Sequence, residues 1–175
     1  MNIRKQGNIN NNISIMCSNS LQDALFAAIA AIGFAAISNP PRRAYIYCAL
    51  IAAIGHSLRY MLINGDIAHI NIVVATLPAS LFIGTLAVFM APMAKTPAET
   101  YLFPALLPMI PGIYAYRAFG SLAACMLQES QEAFGTYFYL FVHNALTATG
   151  IILCMVTGAT LPIFIFKKIA FQATR

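Results

Sequence analysis

The sequence predicts an all-α integral membrane protein with about five transmembrane helices, the fourth of them broken by prolines. Apolar residues make up 60% of the 175 residues and charged residues only 9%, whereas soluble domains usually carry about 25% charged residues. A soluble globule of this length leaves roughly a third of its extended surface in water, so this much apolar surface must face lipid. The composition therefore excludes a soluble enzyme, a nucleic-acid-binding protein and a disordered chain.

The chain divides into a tail, a membrane domain and a second, shorter tail. Residues 1–20 are polar and rich in Asn, and they are predicted to form a flexible N-terminal tail. Residues 21–168 form the predicted transmembrane domain, and residues 169–175 a short cytoplasmic tail. The tetrapeptide at positions 20–23 resembles a capping box, so the first helix is expected to begin there with Asp23 in its first turn.

The predicted spans are apolar runs separated by turn signals and prolines: residues 24–38, 44–63, 67–91, 101–122 and 134–166. The first span ends before a Pro-Pro pair and the second before an Asn-Gly-Asp turn. Pro78 is a candidate kink in the third span, and Pro162 is expected to break the last helix near its membrane exit.

The basic residues predict the orientation, because cytoplasmic loops carry an excess of Lys and Arg. Five spans place the two termini on opposite sides of the membrane. One side then collects six basic residues: Arg42, Arg43, Lys95, Lys167, Lys168 and Arg175. The other side has Arg4 and Lys5 together with acidic loops. The N-terminus is therefore expected outside and the C-terminus in the cytoplasm.

Small residues mark faces on which helices can approach closely. The first span is rich in Ala, with Gly33 near its end. Similar small residues recur at four-residue spacing in the third and last spans: Ser80 and Gly84, then Gly150, Cys154 and Gly158. The sequence leaves open whether these faces pack within this subunit or against a partner.

The fourth span contains the most informative stretch. Pro104, Pro108 and Pro111 lie within eight residues, and Gly112 follows directly. Each interior proline removes a helical hydrogen bond, and such broken spans commonly form the binding sites of secondary transporters. A merely kinked helix is the alternative. Polar side chains follow the break at once: Tyr114, Tyr116 and Arg117.

Two further polar groups lie inside predicted spans. His56 and Arg59 are close together in the second span, and Arg59 either binds a substrate or snorkels to the interface. His56 either titrates or makes one structural hydrogen bond. In the last span, Asn144 and Thr147 are three residues apart on one face. They line a pathway or simply join helices.

Several enzyme signatures are missing from the sequence. It has no ATP-binding P-loop, no metalloprotease helix and no nucleophile elbow. No pair of carboxylates lies inside a predicted span, so general acid–base chemistry has no obvious residues. We therefore expect no enzyme activity, no cofactor and no metal site.

Five motifs occur in an order that resembles the threonine/serine exporter family, in its smaller, C-terminal-type half. They are Gly33-Phe34-Ala35, Asn39-x-Pro41, Gly55-His56-x-x-Arg59, Pro108-x-x-Pro111-Gly112 and Asn144-x-x-Thr147. The resemblance covers roughly residues 21–168 and does not include Arg117. It implies a secondary transporter built from two unlike halves, fused in some bacteria and separate in others. Separate pairs of this kind resemble exporters of succinate and related dicarboxylates.

The leading hypothesis is a subunit of a secondary transporter in the bacterial inner membrane. It would export a small carboxylated metabolite, either a dicarboxylate such as succinate or threonine/serine. The expected partner is a larger membrane subunit of the same family, and a higher oligomer is left open. The alternative is a non-transporting scaffold or assembly subunit. The predicted binding and pathway residues are His56, Arg59, Pro108, Pro111, Gly112, Tyr116, Arg117, Asn144 and Thr147.

Overall fold

The computed structural model describes the backbone of residues 2–65, 69–94 and 96–167, and side chains from residue 14 onward except that of Ala94. All regular elements in this part of the chain are helical, which confirms the all-α prediction. The elements are α1 (Asn2–Ser38), α2 (Ala44–Asn64), α3 (Ile72–Ala94), α4 (Glu99–Leu106), a 3₁₀ turn (Leu107–Met109), α5 (Gly112–Met126) and α6 (Gln131–Ile165).

Four helical segments in the described residues are long and apolar enough to cross a membrane: Ser14–Ser38, Ala44–Asn64, Ile72–Met93 and Gln131–Ile165. The predicted fourth span is divided between α4, with 8 residues, and α5, with 15. Each is shorter than the ~20 residues that a bilayer requires. The proline break is therefore confirmed, while the count of five spans stays a prediction.

One predicted helix boundary and one predicted helix break are wrong. The first helix begins at Asn2 rather than at Ser20, which is buried inside it. Once an apolar segment is helical, each further residue adds a hydrogen bond at little cost, and residues 2–38 contain no proline to stop the helix. Pro162 does not break the last helix: α6 continues through it and ends at Ile165, one residue from the predicted end of the span. Pro162 is buried, so packing against neighbouring helices offsets the lost hydrogen bond. The division into tail and membrane domain at residue 20 stays a prediction.

The helices place the basic loops at one end of the bundle. The end of α1 meets the start of α2, and the rings of Phe89 on α3 and Phe166 after α6 lie 5.5 Å apart. Arg42, Arg43 and Lys167 therefore lie at the same end. Lys95, Lys168 and Arg175 belong to the predicted tally but lie outside the described residues. The orientation of this end toward the cytoplasm stays a prediction.

The small residues of α3 and α6 form a close seam within the chain. The Ser80 hydroxyl donates to the carbonyl oxygen of Cys154 across this seam, at 3.2 Å. A Cβ placed on Gly158 would come within 2.7 Å of the Leu77 carbonyl oxygen, and one on Gly84 would be just as crowded against α6. At these positions the small residues serve packing inside the subunit.

The last helix extends beyond the bundle. With 35 residues, α6 is about 52 Å long at 1.5 Å per residue. Gly150 of α6 packs against Val73, at the start of α3. Residues 131–149 therefore continue past that end of α3, and α5 packs along them. The two segments form a helical hairpin, which begins at the proline break.

Candidate functional site

The proline break is an inverse γ-turn between the 3₁₀ turn and α5. Pro111 has φ −78° and ψ 55°, the values of an inverse γ-turn, and the Gly112 amide donates to the Ile110 carbonyl oxygen at 2.8 Å. Ile110 is extended, with ψ 130°. The helix therefore stops after Met109, whose carbonyl oxygen would accept from Ile113 if the helix continued.

Arg59 takes the place of that missing donor. Its guanidinium Nη1 donates to the Met109 carbonyl oxygen at 3.3 Å, and the side chain is half-buried. Arg59 lies five residues, about 7 Å at 1.5 Å per residue, from the end of α2 at Asn64. The hydrogen bond shows that its guanidinium is turned inward, onto the open backbone of the break. A side chain that only snorkels would direct its charge away from the protein interior.

An acidic and a basic side chain pair beside Arg59. The His56 Nδ1 atom lies 3.7 Å from the Asp23 Oδ2 atom. His56 is 4% exposed, and its Nε2 atom has no hydrogen-bond partner among the described residues. Asp23 and Tyr114 are both close enough to Arg59 for Coulombic interaction. Helices α1, α2 and α5 thus bring one acid, two bases and a phenol to the break.

Sequence reasoning missed Asp23 as a functional candidate. The capping pattern predicts that Asp23 lies in the first turn of a helix starting at Ser20, where an acid is favourable. In the structure Asp23 lies well inside the apolar segment Ser14–Ser38. A carboxylate inside a membrane span is a functional candidate by default, so a correct helix start would have identified it.

A cysteine holds the other end of the broken segment. Pro104 has no N–H to donate to the Thr100 carbonyl oxygen, and the Cys48 thiol donates to that oxygen instead, with 3.6 Å between sulfur and oxygen. The hydroxyls of Thr96 and Tyr101 also form a hydrogen bond, and the Tyr101 ring packs edge-on against Tyr47 of α2. The contacts of Cys48 and Tyr47 fix α4 against α2. They therefore help to place Met109 beside Arg59.

A cleft of about 640 Å³, lined by polar and apolar side chains, opens between α5 and the N-terminal half of α6. Its lining residues are Tyr114, Tyr116, Arg117, Gly120, Ser121, Tyr137, Leu140, His143 and Asn144. The Asn144 side chain is buried, and its amide donates to the Leu140 carbonyl oxygen in its own helix at 2.7 Å. Tyr114 belongs to this cleft and also interacts with Arg59, so it connects the two sites.

The structure divides the predicted site residues into two groups. His56 and Arg59 lie at the break formed around Pro108, Pro111 and Gly112. The cleft contains three others: Tyr116, Arg117 and Asn144. Thr147 lies outside both groups, about one turn beyond Asn144, and its hydroxyl donates to the carbonyl oxygen of His143 in its own helix. Their roles in binding or transport stay predictions.

Comparison with known proteins identifies the family. Residues 23–165 match the family model described as Threonine/Serine exporter, ThrE. An uncharacterized protein of Haemophilus influenzae is 37% identical over 159 residues, which cover 89% of this chain and 50% of that relative. The chain thus spans about half the length of the curated relative it matches. No solved structure matches the chain. With its apolar helices long enough to span a bilayer, this multi-pass membrane protein belongs to the threonine/serine exporter family.

Proposed function

We propose that this chain is one half of a secondary transporter that exports a small carboxylated metabolite across the bacterial inner membrane. The substrate is a dicarboxylate such as succinate, or threonine/serine. The other half is a larger membrane subunit of the same family. Family membership favours a transporter over both an enzyme and a passive scaffold.

The contact between Arg59 and the proline break carries this proposal. An arginine has five N–H donors in a planar fork that matches a carboxylate, and here a single described hydrogen bond engages it. The start of α5, at Gly112, adds the positive end of a helix dipole. A carboxylate at this position would therefore meet a cation and backbone amides together.

The cleft between α5 and α6 supports a pathway that leads to this position. It extends from Tyr114 to Arg117 and Asn144, and Tyr114 is within Coulombic range of Arg59. A second cation at Arg117 would attract an anionic substrate, while Asn144 offers a neutral contact. A charged side chain such as Arg117 is costly in contact with lipid, so water or protein is expected to surround it.

The exposure of Asp23 supports a partner on the outer face of α1. The Asp23 side chain is 43% exposed, yet a carboxylate that faces hydrocarbon is costly. An apolar groove of about 400 Å³ lies next to it, lined by Leu21, Gln22, Ala24, Leu25, Ala28 and Ala53. The relative from Haemophilus influenzae is about twice as long as this chain. A second half that packs on α1 would cover both Asp23 and the groove.

The test is substrate efflux from proteoliposomes. Vesicles loaded with labelled succinate or labelled threonine would contain this chain alone, the larger subunit alone, or both. Efflux of one carboxylate that requires both chains supports the proposal. No efflux with both chains, at verified insertion, would contradict transport, and equal efflux from this chain alone would contradict the two-half arrangement.

A further inference from the structure

We propose that a groove between α4 and α6 binds one acyl chain of a phospholipid whose head group carries both a phosphate and a primary ammonium. This α4–α6 groove has a volume of about 400 Å³. It shares no lining residue with the cleft between α5 and α6. The inference goes beyond the proposed function and does not depend on it.

The walls of the α4–α6 groove are mostly apolar. Leu102 and Ala159 form its floor and are 2% and 1% exposed. Phe103 of α4 and Phe164 of α6 form its rims and are 62% and 75% exposed, so the groove opens on the outer surface of the helices. An apolar hollow does not hold water, and on a membrane protein the surrounding medium is hydrocarbon. A lipid chain is therefore the occupant that the walls fit.

The groove is polar at one end only. Glu99 and Lys167 line the end near the basic loops, and Val156 lines the far end. The hydroxyl of Thr160, between them, donates to the Val156 carbonyl oxygen in its own helix at 2.8 Å. From Lys167 to Val156 the groove follows α6 for about 16 Å at 1.5 Å per residue, close to half of the ~30 Å hydrocarbon core. A charged end followed by one leaflet's depth of apolar wall matches a phospholipid.

The two charges at this end select the head group. Glu99 and Lys167 do not form an ion pair with each other in the described part of the chain. The Lys167 ammonium can donate to phosphate oxygens, and the Glu99 carboxylate can accept from an ammonium. Phosphatidylethanolamine offers both partners. The glycerol head group of phosphatidylglycerol has no cation for Glu99, and the quaternary ammonium of phosphatidylcholine has no N–H to donate.

A bound chain would support the broken segment. Helix α4 packs against α1, α2 and α3, and the groove lies on its side toward α6. The 3₁₀ turn that ends at Met109 follows α4 directly. An acyl chain in the groove would fill the space between α4 and α6, so the lipid should stabilise the folded chain.

The first test compares three lipids on the purified full chain in detergent. Phosphatidylethanolamine, phosphatidylcholine and phosphatidylglycerol with identical acyl chains would be added in equal amounts, and the midpoint of thermal unfolding would be measured. A ligand of the folded state raises this midpoint. We expect the largest rise with phosphatidylethanolamine, and one retained molecule by native mass spectrometry. No rise, an equal rise with all three lipids, or a larger rise with either of the others would overturn the proposal.

The second test fills the groove. Val156→Phe adds a ring at the far end from a position that is 51% exposed, and it should remove most of the rise caused by phosphatidylethanolamine. Leu153→Phe, at a 62% exposed position of α6 outside the groove, is the matched control and should keep the rise. A full rise in Val156→Phe would place the lipid elsewhere and contradict the proposal. Loss of the retained lipid when a larger subunit binds would mean that the groove receives a protein helix instead.

The third test concerns the head group. Lys167→Gln should raise the phosphatidylethanolamine concentration needed for half-maximal stabilisation by about two- to fivefold, the range for one partly exposed ion pair. Glu99→Gln should weaken this lipid by a similar factor and remove its advantage over phosphatidylglycerol. Glu132→Gln, at the exposed start of α6, is the matched control and should change neither. An unchanged order of the lipids in Glu99→Gln would overturn the assignment of the head group.

Discussion

The guanidinium of Arg59 lies 3.3 Å from the carbonyl oxygen of Met109, the last residue before the chain unwinds. The contact joins α2 to a helix end that a bilayer would otherwise leave unsatisfied. A cation inside the span and an open carbonyl each carry a large desolvation cost alone. Together they satisfy one another, and in the proposed function a substrate carboxylate replaces the carbonyl as the partner of Arg59.

Replacing Arg59 with lysine tests whether the planar fork matters. Lysine keeps the charge but cannot bind a carboxylate through two parallel hydrogen bonds. Because a hydrogen bond to a charged group contributes about 1.5–3 kcal/mol, we expect Arg59→Lys to lower efflux about tenfold or more at equal protein level. Arg43→Lys, at the exposed basic end of the bundle, is the control. Near-normal efflux by Arg59→Lys would favour a purely structural role.

The shape of the break can be tested by removing its prolines. Replacing Pro108 and Pro111 together with Ala returns two N–H groups and the best helix former. We expect a continuous helix, lost access to the open backbone, and lower efflux per inserted complex, while insertion is kept or improved. Insertion would be measured separately. Full efflux in the double variant would show that both prolines serve packing alone.

The thiol of Cys48 is predicted to stabilise α4 by bonding the carbonyl that Pro104 leaves free. Cys48 is fully buried, so Cys48→Ala removes the donor and leaves the Thr100 oxygen without it. We expect a loss of about 1–3 kcal/mol in the free energy of unfolding. Cys48→Ser keeps a donor at this position and should lose less. Thermal unfolding of the detergent-solubilised protein would compare the two, and equal stability of the Ala variant would argue against this role of the thiol.

The seam between α3 and α6 predicts a sharp difference between two glycines. Gly158→Ala would place a Cβ within 2.7 Å of the Leu77 carbonyl oxygen, so the helices must separate, at a cost of about 1–3 kcal/mol. Gly33→Ala meets nothing within 4 Å and should be neutral or stabilising, since Ala favours helix over Gly. Unfolding of both variants in the same detergent is the measurement. A Gly158→Ala variant as stable as wild type would contradict the close approach of these helices.

The orientation is tested by labelling in intact cells. The excess of basic residues at one end of the bundle predicts that this end lies in the cytoplasm and the N-terminus outside. A cysteine added near the N-terminus, in a variant without the native cysteines, should react with a membrane-impermeant thiol reagent. A cysteine in place of exposed Arg42 should react only after permeabilisation. The reverse pattern would invert the proposed topology.

The sequence by itself determined the fold class and most of the helices, because the lipid environment requires long apolar helices whatever their mutual packing. It also located the proline break, since the missing N–H groups are a local property of Pro108 and Pro111. The polar residues of α2 and α6 were also identifiable from the sequence, because polar side chains inside apolar runs are costly in a membrane.

The tertiary structure decided which of these groups meet. That Arg59 reaches the Met109 carbonyl, and that Asp23 pairs with His56, depends on how α1, α2 and the broken segment pack. The sequence does not identify Asp23 as a functional candidate, because a local capping pattern also accounts for an acid at this position. The helix begins at Asn2, so Asp23 is not in its first turn. Likewise, no local sequence pattern indicates that the Cys48 thiol donates to the Thr100 carbonyl oxygen. Such pairings join residues 33 to 52 positions apart, and contacts this distant follow from packing of whole helices rather than from any local pattern.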